Sequence, residues 1–227
     1  MKRIVLILLT AFSFSCAERE LQLPVTTAND ITEILDVSPI YMFYDEATDS
    51  VDFNRKNMIS TTNWLVNIDK RLTLKQILPY LQYLQEKRRG DGMHKNENAK
   101  NYFTCFNEET KNLSFIEFTN DVYNLDYSPI KEFNIDSIDI DVSILVKSLN
   151  SIEITSTDGY CGIIDGTDID SFLKIISEYD SIDNDPFIVS YDKNLSFQDY
   201  ITFKTQLQQL KSDIAKIRIS NNEFIHN

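Results

Sequence analysis

The pentapeptide Lys-Asn-Leu-Ser-Phe occurs twice, at Lys111–Phe115 and at Lys193–Phe197, 82 residues apart. Each copy follows an apolar, strand-like run, NYFTCF in one case and PFIVSYD in the other. Each precedes a run that reads as a helix, with Ser114 or Ser196 as its N-cap. A chain with one unit built twice must fold as two similar halves, which restricts its architecture more than any composition figure does.

The first half begins with PIYMFYDEATDSVDFNRK, which predicts two strands around a turn at Glu46–Asp49. LTLKQILPYLQYLQEKR predicts a helix capped by Thr73, with apolar residues at 74, 77, 78, 81 and 84; Pro79 predicts a kink or a late start. NYFTCFNEE is then a strand, FIEFTNDVYNL a second helix and IKEFNIDSIDIDV an alternating strand. In the second half, SLNSIEITSTDGYCGIID predicts a hairpin at Asp158–Gly159 and TDIDSFLKIISEY a helix capped at Thr167 or Asp168. PFIVSYD is a strand, FQDYITFKTQLQQLKSD a helix and IAKIRISNNEFI the last strand. The expected fold is α+β: two tandem β-β-α-β-α-β units, each a small mixed sheet with two helices on one face. The expected organisation is 1–15 signal segment, 16–38 tether or arm, 39–140 first unit and 141–227 second unit.

MKRIVLILLTAFSFSC reads as an export signal, with Lys2 and Arg3 ahead of the apolar stretch from Ile4 to Phe14. Eleven helical residues rise about 16 Å, half of a bilayer's hydrocarbon thickness. Cys16 directly after that stretch resembles the lipidated cysteine of a bacterial lipoprotein, although Ser13 and Phe14 depart from the usual motif; cleavage after Ala17 is the alternative. Either way the expected site of action is the cell envelope, lipid-anchored and facing the periplasm, or else soluble there or secreted. Cys105 and Cys161 sit in strand-like runs and read as buried thiols rather than a disulfide.

LQLPV at 21–25 is an extended arm or edge strand, because Pro24 forces the preceding residue out of helical geometry. Leu23, Pro24 and Val25 are therefore candidates for strand exchange with a neighbour.

The second half resembles the periplasmic domain of the ExbD/TolR biopolymer-transport proteins. The resemblance rests on the Ile152–Gly159 hairpin, the strand from Phe187 to Tyr191–Asp192, the helix at 196–210 and the strand at 214–219. LQLPV resembles that family's short Leu-Pro strand. Residues 39–140 match more loosely. The resemblance implies a non-catalytic binding or assembly module that self-associates or engages envelope proteins or the cell wall. The membrane helix with its proton-carrying acid is missing from the pattern, since Ile4–Phe14 contains no acidic residue. A motor role does not carry over.

Catalytic signals are thin. The two histidines, His94 and His226, lie in polar surroundings and read as solvated. Phosphate-loop, HExxH and G-x-S-x-G patterns do not occur. Neither Asp165, Asp168 and Asp170 nor Asp180, Asp183 and Asp185 meet the pattern of a calcium loop, with its closing acid and a glycine at the bend, so Asp168 reads as a helix cap and the second group as a turn. Lys87, Arg88 and Arg89 read as cations at a helix C-terminus, and Tyr41, Phe43, Tyr44 and Phe53 as strand aromatics. The expectation is no enzyme, no cofactor and no metal. A net charge of −13 repels phosphate backbones, which argues against nucleic acid. The alternative function is capture of a small molecule or glycan in a groove between the halves.

Overall fold

The computed structural model describes residues 20–90, 96–126, 142–156, 164–178, 186–214 and 217–226. Two six-stranded mixed sheets and three helices make up the described chain, an α+β fold. In chain order the elements are β1 (Val25–Thr26), β2 (Val37–Asp45), β3 (Ser50–Asn54), β4 (Asn63–Ile68), α1 (Leu74–Arg89), β5 (Asn101–Asn107), β6 (Asn112–Glu117) and β7 (Val122–Asp126). β8 (Val142–Ser148), β9 (Ser151–Ser156), β10 (Ile164–Thr167), α2 (Ile169–Glu178), β11 (Phe187–Asp192), α3 (Phe197–Asp213) and β12 (Ile219–His226) follow.

The first sheet runs β3-β2-β4-β5-β6, with β1 added to β5 beyond the end of β4. β2, β4 and β5 are parallel, and β3 and β6 close the edges antiparallel. The second sheet runs β10-β9-β8-β11-β12-β7, with β8, β11, β12 and β7 parallel. β7 therefore belongs by sequence to the expected first unit and by pairing to the second sheet. One buried apolar cluster spans both halves, from Ile40 and Met42 on β2 to Ile225 on β12. Ile40 and Met42 face it, while Tyr41 and Phe43 stack 5.5 Å apart on the half-buried opposite face, as period-two alternation requires.

Local expectations hold where capping or periodicity is strong. Thr73 and Gln76 form a reciprocal capping box on α1, and Leu74, Ile77, Leu78, Leu81 and Leu84 are all buried. Pro79 lies in the second turn without delaying the helix, which starts at Leu74. Asp168 caps α2 through the Ser171 amide, and Ser196 caps α3 through the Asp199 amide. β9 and β10 pair antiparallel on either side of the expected Asp158–Gly159 turn, which itself lies outside the described residues.

The first half departs from its expected order. FIEFTNDVYNL is two strands, β6 and β7, broken by a turn at Thr119–Asn120, so among the described residues this half has one helix where two were expected. Ser114 is not an N-cap; it is buried in β6, where its hydroxyl donates to the Ala28 carbonyl at 2.6 Å. The stretch around Trp64, assigned no element from sequence, is β4 at the middle of the first sheet. The strand expected at 130–142 lies mostly outside the described residues. β8 reaches Ser148 and turns into β9 at Leu149–Asn150.

The halves are nonetheless related. The hairpin β2-β3 with β4, α1 and β5 has the same order and strand directions as β8-β9 with β11, α3 and β12. In the second half β10 and α2 are inserted between hairpin and central strand. The matching sequence at the strand-to-helix junction is Asp69-Lys70-Arg71-Leu72-Thr73-Leu74 against Asp192-Lys193-Asn194-Leu195-Ser196-Phe197. The true counterpart of the second Lys-Asn-Leu-Ser-Phe is thus Lys70–Leu74, and the identical pentapeptide at 111–115 is a coincidence of letters.

Candidate functional site

Both junctions are built alike. Asp69 accepts from the Arg71 amide and Asp192 from the Asn194 amide, folding each chain into a tight turn. Leu72 and Leu195 donate their amides back to the Asp69 and Asp192 carbonyls at 3.1 and 3.0 Å. The two turns then meet antiparallel, bridging at Thr73 and Ser196. Leu74 N–H donates to Leu195 O (3.0 Å) and Phe197 N–H to Leu72 O (2.7 Å). Lys75 N–H donates to Lys193 O (2.7 Å) and Gln198 N–H to Lys70 O (3.2 Å). Every bond in one direction has its equivalent in the other, the signature of a two-fold contact made here within one chain. Leu72, Leu74, Leu195 and Phe197 are buried at this seam.

The arm crosses the same region. Gln22 donates its amide to Asp69 Oδ2 and accepts from Lys70, while Pro24 O accepts from Phe106 of β5. The arm thereby fills the space between the ends of β4 and β5. Gln198 of α3 holds it with a pair of bonds, accepting from Val25 N–H and donating to Val25 O. Leu23, Pro24 and Val25 thus lie in a segment paired within its own chain. Arg71 binds Asp69 at 2.9 Å and also reaches Glu46; although burial pushes Asp69 upward, these hydrogen bonds hold its carboxyl below the usual range.

A second polar centre lies where β7 meets α3 and β12. Lys204 of α3 is ion-paired with Asp121 Oδ2 at 2.7 Å and with Glu223 Oε1 at 2.5 Å. Tyr200 donates to Glu223 Oε2 at 2.8 Å, and its oxygen lies 3.1 Å from the Tyr123 hydroxyl. Lys204 and Glu223 are buried polar residues, and a pocket of about 70 Å³ reaches both between α3 and β12. Sequence reasoning missed this centre. The available signal was Lys204 itself, which falls on the buried stripe of Phe197, Tyr200, Ile201 and Leu207.

A cleft of about 240 Å³ lies between the arm at Thr27–Asp30 and helices α2 and α3. Leu173 and Leu210 give it apolar wall, and Gln206 carries a buried Oε1 with no hydrogen-bond partner among the described residues. The cleft lies between the arm and the second half, with no residue of 39–140 in its lining, and its volume admits only a small ligand.

The remaining candidates stand as follows. Arg88 stands in the last turn of α1 as expected and is buried, lying 3.7 Å over the Trp64 ring and donating to Asn101 Oδ1, Ser60 O and Thr62 O; burial lowers its pKa to about 10. Arg89 donates to the Asp121 carbonyl. Cys105 is an unbonded thiol buried in β5, its pKa pushed up by desolvation. His226 is half-buried at the end of β12, beside Asp192 of β11 in register, and its Nε2 has no hydrogen-bond partner among the described residues. Cys16, His94, Cys161, Asp180, Asp183 and Asp185 lie outside the described residues. Among the described residues no group of three or more His, Cys, Asp or Glu is placed to hold a metal ion, and no helix is long and apolar enough to cross a membrane. Comparison with family models, with curated proteins and with solved structures found no match.

Proposed function

We propose that the chain is a non-catalytic cell-envelope module of the ExbD/TolR-like kind, exported, lipid-tethered at Cys16 and working by binding or assembly. The observation that supports this reading is the doubled junction at the seam. The strand ending in aspartate, the turn and the following helix, on which the resemblance rests at Phe187–Leu210, recur at Trp64–Arg89 with the same hydrogen bonds. In the family this resembles, such domains are expected to self-associate; here two copies of the unit meet across a two-fold seam in one chain. That leaves the outer surfaces and sheet edges for envelope partners or cell wall.

The test has two parts. Native protein extracted with detergent should show a lipid mass on Cys16, absent from a Cys16→Ser variant. The purified soluble domain should sediment with cell-wall sacculi or crosslink to a discrete envelope protein. A cytoplasmic, unprocessed chain retaining Met1 would sink the proposal.

The cleft between the arm and α2/α3 supports a second reading, capture of a small polar molecule or glycan fragment. Saturable binding that Gln206→Leu abolishes, without loss of fold, would favour it.

A further inference from the structure

We infer that Asp121, Lys204 and Glu223 form a proton-binding site that clasps β7, the last described strand of the first half, to the second sheet. The inference stands apart from the envelope reading.

The geometry carries it. Asp121 lies in the turn leading into β7, and Glu223 on β12 is the register partner of Tyr123 on β7. Two carboxylates therefore face the same seam, one from the turn before β7 and one from β12, and one ammonium, Lys204, answers both. With all three charged, the cluster carries one negative charge more than it neutralises, in surroundings that disfavour any unpaired charge. The neighbours do not supply the missing cation. Tyr123 comes from β7, Tyr191 from β11 and Tyr200 from α3, all uncharged, their phenols pushed well upward first by burial and then by Glu223. α1 packs on β7 through Gln82 and Gln85, and its Arg89 reaches the Asp121 carbonyl rather than the carboxylate. Lys211 also lines the 70 Å³ pocket but is exposed, and the ion pairs of Asp121 and Glu223 are both with Lys204. A proton is the charge that fits, and the pocket gives water a route to it.

Glu223 is the acceptor. Burial raises its pKa above the ordinary 4.5; Lys204 lowers it in part and Asp121 raises it again. A carboxyl raised on folding binds its proton more tightly in the folded chain. It stabilises the fold below its ordinary value, and that stabilisation is lost as pH rises through the folded value. The clasp tightens on mild acidification and loosens toward alkaline pH. Asp69 works the other way, but below its ordinary 3.8, outside this window.

The experiment is urea unfolding of the full chain at pH values from 5 to 8, for wild type and Glu223→Gln. The wild-type unfolding constant should rise with pH between the ordinary carboxylate value and the Glu223 midpoint, by at most about tenfold per unit, the limit for one proton, falling to about threefold per unit at the midpoint itself. Glu223→Gln should remove that slope. An equal slope in both proteins overturns the site. Should the variant fail to fold, a carbon-13 NMR titration of the wild-type Glu223 carboxyl decides. A midpoint above 4.5, falling in Asp121→Asn, supports the site, and a midpoint at or below 4.5 overturns it. Amide exchange at 122–126, corrected for intrinsic rate, should become more protected as pH falls. No change there would refute the clasp.

Discussion

Arg88 and Lys204 are two buried cations held in opposite ways. Arg88 has carbonyls and an indole face about it, and Lys204 has two carboxylates. A guanidinium suits the first setting, because its planar fork satisfies three acceptors at once and lies flat on Trp64. Arg88→Lys keeps the charge and loses the fork, so it should destabilise the protein by about 1–3 kcal/mol. Urea unfolding measures that loss, and the emission of Trp64, the chain's one tryptophan, should shift as its ring loses its cover. Unchanged stability and emission would mean the contacts carry no weight. Both cations were legible as positions, since each lies on its helix's buried stripe at four-residue spacing. Their partners were not: Asn101, Ser60 and Asp121 come from elements whose placement depends on tertiary pairing.

At the scale of elements, one pentapeptide has two structures. Before the second copy stands Asp192, whose carboxylate accepts from Asn194 and starts a turn into α3. Before the first copy stands Thr110; Lys111 adopts φ 55° in a tight turn after Asn107, and the chain reverses to pair with β5. The preceding aspartate, not the shared letters, sets the outcome. That is why Asp-Lys-x-Leu-Thr/Ser reveals the duplication where the exact repeat misleads. The helix expected at 115–125 fails for a related reason: Thr119-Asn120-Asp121 is turn chemistry, and β5 and β12 offered ladders on either side of it. The caps occupy equivalent positions, so Thr73→Ala and Ser196→Ala should each cost about 1 kcal/mol, read from chemical denaturation. A negligible loss at either site would deny its cap that role. The arm depends on one side chain of α3. Gln198→Ala removes both bonds to Val25, and residues 22–26 should exchange their amides at least tenfold faster while α1 stays protected. Unaltered exchange would show the arm held by Pro24 and Gln22 alone.

For the whole molecule, the seam decides whether two similar halves behave as two domains. Their relationship suggests independent folding, yet the observed contacts argue against it. β7 leaves the first half to complete the second sheet, Gln198 of the second half fastens the arm of the first, and Phe103 of β5 packs edge-on against Phe197 at 5.3 Å. Breaking the halves apart would expose Leu72, Leu195 and Phe197 together with the four cross-seam backbone bonds, a cost neither half can recover alone. The chain should therefore unfold in one transition, with Trp64 emission, which reports the first half, coinciding with amide exchange in α3 and β11, which reports the second. Leu72→Asp puts a charge into the seam at a fully buried position. It should strip protection from β11 and α3 as severely as from β4 and α1. Loss confined to the first half, or two resolved calorimetric transitions in the wild type, would establish two tethered domains and remove the physical basis for treating the seam as a built-in dimer contact.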